Sequence, residues 1–141
     1  MSVAPATKEV LEQAHVLAAW LQQIADEEHW RPYRGSVEIE QCSHPDRTSR
    51  VRPLISAGNV ETKGRAAFLL RCRGPSRESL EPTSLEMFPG EILTLYHDKD
   101  SPLTMDGKPL IVGERTIITQ PASINVAPGD ILLLIVIFTK R

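Results

Sequence analysis

The chain has 141 residues, of which 41% are apolar and 24% charged. That size and balance exclude a disordered polymer and allow one domain with a core that needs no disulfide or metal. A formal net charge of −2 excludes bulk attraction to nucleic acid, and eleven prolines with eight glycines favour many short strands over a helical bundle.

Residues 1–6 lack the basic start and apolar core of a secretory signal, so none is expected. Thr7 is a plausible N-cap with Glu9 in the first turn. Val10, Ala14, Leu17, Leu21 and Ile24 then recur at spacings of four and three, which predicts an amphipathic helix over about residues 7–29. Asp26, Glu27 and Glu28 would sit at its C-terminal end, the wrong sign for the helix dipole, and so call for basic groups elsewhere or from a partner. Trp20 and Trp30 read as packing residues or interface anchors.

From residue 36 the period becomes two, and a β-rich body is expected over 36–140. Ser36–Gln41 and Ala66–Arg73 alternate as strands. Between them, Cys42–Gly64 is polar and arginine-bearing and reads as a long charged arm, either loop or β. Ile92–His97 is a strand. Leu103–Val112 reads as a hairpin turning on Asp106-Gly107. Arg115–Gln120 is a further strand. Ile131–Thr139 is apolar on both faces, so it should lie centrally, with the helix covering one side. Its longest apolar run, Ile131–Phe138, is too short to span a bilayer as a helix, and no membrane partner is expected. The fold class is therefore α+β: an N-terminal amphipathic helix on a mainly antiparallel sheet, barrel or sandwich, in a single domain.

Charge is segregated along the chain. Residues 1–30 carry five acids against one Lys, a net of −4, while 31–77 carry ten basic groups against four acids, a net of +6. Residues 78–100 carry six acids against one Lys, a net of −5, and 101–141 carry +1. These blocks either neutralise one another within one fold or meet between neighbouring copies. Arg47, Arg50 and Arg52 are the candidates for an exposed basic loop. Asp26, Glu27, Glu28 and Glu86 are the candidates to receive basic groups from a neighbour, with Trp30 as an apolar anchor. Phosphate-backbone binding is the weaker reading, because few aromatics lie nearby, so nucleic-acid contact is not expected.

No glycine-rich phosphate loop and no nucleophile elbow is present. Cys42, His44 and Cys72 lack a second ligand pair of familiar zinc spacing, and Asp98 and Asp100 read as a solvated turn. Two cysteines are too few for a disulfide framework; they read as free thiols unless strands bring them together. No catalytic residue, cofactor or metal is expected. The Pro-Gly-acid lead into a strand recurs at Pro89-Gly90-Glu91 and Pro128-Gly129-Asp130 and reads as ordinary turn chemistry; the second, Pro-Gly-Asp before the terminal strand, has some likeness to trimeric β-barrel nucleotide hydrolases. Their substrate-binding Asp motif and glycine-rich tail are not found.

In layout, from Val10 to Lys140, the chain resembles small structural proteins of tailed bacteriophages, of the head–tail connector (stopper) and tail-terminator kinds. The resemblance implies a non-enzymatic virion component that forms a homo-oligomeric ring and contacts neighbouring structural proteins. Tail terminators usually carry a second long helix between strands, and none is read here. The alternatives are a stand-alone β-barrel binding module and a small barrel hydrolase using Asp98, Asp100 or Asp130.

Overall fold

The structure is a computed structural model and describes residues 2–4, 7–33, 39–60, 65–73, 83–85, 90–97, 104–105, 108–118, 122–126 and 131–139. In chain order the elements are β1 (Ser2–Ala4), α1 (Lys8–Gln23), a 3-10 turn (Glu27–His29), β2 (Trp30–Pro32), β3 (Ile39–Cys42), α2 (Arg47–Gly58), β4 (Arg65–Arg73), β5 (Thr83–Leu85), β6 (Gly90–His97), β7 (Thr104–Met105), β8 (Lys108–Pro109), β9 (Arg115–Ile118), β10 (Ala122–Asn125) and β11 (Ile131–Thr139).

Helix α1 begins as its sequence directs. The Val10 N–H donates to the Thr7 hydroxyl at 3.2 Å, which satisfies one of the orphan donors of the first turn. The helix stops at Gln23, short of the expected residue 29. No basic group stands in its last turn, and Asp26–Glu28 oppose the dipole there. The Trp30 indole N–H instead takes the Ile24 carbonyl at 2.8 Å, and the chain turns away into β2.

Among the described residues, seven strands form one antiparallel sheet in the order β1-β9-β6-β11-β4-β3-β2, and four form a smaller sheet, β5-β10-β7-β8. Strand β11 is central, with β4 and β6 as antiparallel neighbours. Its two faces serve two cores. Leu133, Ile135 and Ile137 point to the side covered by α1 and α2, where Ala14, Leu17, Leu21 and Leu54 pack. Leu132, Leu134 and Val136 point to the small sheet, meeting Met105, Ile124 and Val126. The six side chains from Leu132 to Ile137 are at most 3% exposed. At roughly 1.5–3 kcal/mol each, their burial contributes on the order of 10 kcal/mol as an upper estimate. The result is three layers: helices, main sheet, small sheet.

The β11–β6 register slips between Leu133 and Leu134, which face Tyr96 and Thr94 respectively. Leu95 is thus the extra residue of a β-bulge. Thr94 is buried, and its carbonyl accepts the Gly113 N–H at 2.8 Å.

The expected arm over 42–64 is corrected. Residues 47–58 are helical and pack on α1, with Val51 and Leu54 buried. Arginines at the start and Pro53 inside it disfavour this helix locally, so its burial against α1 must carry it. Asn59 in the left-handed conformation (φ 50°) ends it, and Val60 N–H closes back onto the Ile55 carbonyl. Arg115 adds a cation at that end, donating to the Gly58 carbonyl at 3.2 Å.

Candidate functional site

Two arginines of the basic middle block, Arg65 and Arg71, are consumed inside the fold. Arg71, 5% exposed, donates to both oxygens of Glu40 at 3.0 and 3.1 Å and to the Ala25 carbonyl at 3.2 Å. It also reaches Glu27 at 3.5 Å and lies 4.4 Å from the Trp30 ring centroid. Arg65 and Arg115 share Glu91, at 3.3 and 2.7 Å. Internal neutralisation of the charge blocks is therefore real at these sites.

The arginines of α2 behave differently. Arg47, Arg50 and Arg52 are exposed, and no carboxylate lies within ion-pair distance of any of them among the described residues. Arg47 donates to the His44 carbonyl at 3.0 Å, and Arg50 lies 5.3 Å from the Trp20 ring centroid. Trp20 in turn meets His44 edge-on at 5.1 Å, and His44 stands 4.7 Å from His29. These contacts tie the start of α2 to the end of α1.

Beside this helix runs a cleft of about 700 Å³. One wall is a stripe of α2: Arg47, Thr48, Val51, Arg52, Ile55 and Ser56. Their spacing of one, three and four places them on one helical face. The other wall is Arg65–Leu69 of β4, with Cys42 at one end and Ile137 in the floor. Strand β3 registers with β4 only from Gln41↔Leu70 to Ile39↔Cys72, whereas β11 accompanies β4 down to Arg65. The cleft lies where β3 has left the sheet. Among the described residues, its lining holds three arginines and no acid.

The Cys42 thiol is pushed above its ordinary value by burial, against the opposing pull of the His44 backbone N–H and the charges of Arg47 and Arg71. Such a thiol stays protonated at neutral pH and is a poor nucleophile. Both cysteines are free and buried. Among the described residues, no group of three or more His, Cys, Asp or Glu is arranged to hold a metal. Among the described residues, no helix is long and apolar enough to cross a membrane.

The sequence candidates divide. Arg47, Arg50 and Arg52 come together on α2, and Asp26, Glu27 and Glu28 are exposed in the turn after α1. Glu27 faces Arg71, and Glu28 approaches His29 at 3.4 Å. Trp30, proposed as an anchor for a neighbour, is only 4% exposed and packs in its own core beneath Arg71, so it is unavailable to a partner in this conformation. Glu86, Asp98, Asp100 and Asp130 lie outside the described residues. The cleft itself was not foreseen, although Val51, Leu54 and Ile55 carry a helical period among the arginines.

Fold and site together define an α+β chain with a cationic surface cleft. No family model, no curated protein and no solved structure matches it.

Proposed function

We propose that the chain is a non-enzymatic assembly protein that binds its neighbours through the α2 face. The observation that carries this reading is the charge left over once internal pairs are made. Among the described residues, three arginines stand exposed on one short helix without carboxylate partners, while Asp26, Glu27 and Glu28 are exposed in the turn after α1, Glu27 beside Arg71 and Glu28 beside His29. Opposite patches on identical chains favour head-to-tail association, which closes into a ring when the rotation permits. The specific form proposed is a ring-forming virion component of the head–tail connector or tail-terminator kind, assembled in the host cytoplasm.

Electron microscopy of the concentrated protein at low salt tests it. Closed rings of uniform diameter are expected. A field with no particle larger than a 15.7 kDa monomer contradicts the proposal.

A further inference from the structure

We propose that the cleft between α2 and β4 is a docking site for an extended, acidic segment of a partner protein, about four residues long at its contact. This rests on the assembly reading and names the partner chemistry of its site.

Length argues first. The α2 wall runs from Arg47 to Ser56, nine steps of about 1.5 Å, or about 13 Å. An extended chain advances about 3.3 Å per residue, so about four residues lie alongside. Position argues second. The cleft continues the line that β3 abandons at Cys42, beside the Ala66–Ala67 stretch of β4. A strand laid there sits as β3 would have, had it gone on, between a sheet and a helix. Addition of a peptide strand to a sheet in this manner is a recurrent mode of recognition.

Charge and chemistry argue third. Arg47 and Arg52 stand over the cleft without carboxylate partners among the described residues. Thr48 and Ser56 add hydroxyls along the same wall, while Val51, Ile55 and Leu69 supply apolar surface. An extended segment presents alternate side chains to opposite sides. Acidic residues then meet the arginine wall, and the residues alternating with them turn away from it. Single-stranded nucleic acid, the other polyanion, stacks its bases on aromatics, and among the described residues the lining offers only Phe68.

Fluorescence anisotropy with the full chain tests this. The probes are a labelled heptapeptide alternating Glu and Val, its Lys-Val counterpart, and a single-stranded oligothymidylate. The acidic peptide is expected to bind saturably and to weaken as salt rises, with no binding of the Lys-Val peptide. Arg47→Ala/Arg52→Ala should weaken it at least tenfold. Ser56 is exposed, so Ser56→Trp can fill the cleft without unfolding the chain and should weaken binding to the same degree at an unchanged melting temperature. Tighter binding of the oligonucleotide, or full peptide binding by Ser56→Trp, overturns the proposal. Native mass on the same samples separates the two readings. Assembly without peptide binding sinks the docking site alone. Peptide binding by a chain that stays monomeric supports the docking site and sinks the assembly reading.

Discussion

Replacing Arg71 with Met keeps most of the apolar stem and removes the guanidinium. Two bonds to Glu40, one to the Ala25 carbonyl and the contact over Trp30 are lost together. The Glu40 side chain is 12% exposed, so its carboxylate is left with little water to replace the cation. Breaking a buried pair by removing one partner costs about 3–5 kcal/mol. The Glu27 contact involves a side chain 74% exposed and adds little. The lower end, about 3 kcal/mol, is expected, and at about 3 °C per kcal/mol for this size the midpoint falls by about 10 °C. Arg71→Met/Glu40→Met removes the Glu40 carboxylate as well and should recover about half of the loss. Urea titration followed by circular dichroism measures both. A single variant within about 0.5 kcal/mol of the parent would show that the Arg71 cluster does not organise the β3–β4 edge.

Other consequences are as direct. Ile135→Ala opens a cavity in the central strand and should cost about 3–4 kcal/mol by the same titration; a loss under 1 kcal/mol contradicts the two-faced core. Thr7→Ala removes the N-cap bond of α1 and should cost about 1 kcal/mol. Pro53→Ala restores a backbone donor inside α2 and should stabilise the chain by about 1–2 kcal/mol after the greater freedom of the unfolded chain is counted; destabilisation would argue that residue 53 is not helical. Burial raises the Cys42 thiol in the folded state, so the folded chain holds that proton more tightly than the unfolded one. The associated stability is present below the unfolded value of about 9.0 and is lost as pH rises beyond it. Cys42→Ala should flatten the fall in stability above pH 9, and in the parent the thiol should react with a disulfide reagent only when urea is added.

The elements read correctly from sequence are those whose pattern and burial agree. Strand β11 is apolar at every position from Ile131 to Phe138, and such a run belongs between two covered faces. Helix α1 carries both a cap and a stripe. Helix α2 escaped because its local signals conflict with its packing: arginines sit at its start, Pro53 lies inside, and only Val51 and Leu54 are fully buried. Contact with α1 overrides that weak propensity. The small sheet was legible in part: the Asp106-Gly107 signal marked the β7–β8 hairpin, whose strands pair with Met105 opposite Lys108. Strands β5 and β10 escaped, being three and four residues long, too short for a period to show. Of the site, the arginines were legible as a cluster. The cleft was not, since it arises from a register that ends at Gln41↔Leu70, and strand register is a property of the assembled sheet. Trp30 was legible as a large apolar anchor, yet only the three-dimensional arrangement shows that what it anchors is its own core beneath Arg71.

The central claim is that exposed charge on α2 holds copies or neighbours together. Sedimentation velocity across a salt series, on the parent and on Arg47→Glu/Arg50→Glu/Arg52→Glu, tests it most directly. The parent is expected to sediment as a defined multiple of 15.7 kDa at low salt and to dissociate as salt screens the contact. The triple variant should remain folded and monomeric throughout. A parent that is monomeric at high concentration and low salt, or a triple variant that assembles as the parent does, contradicts it.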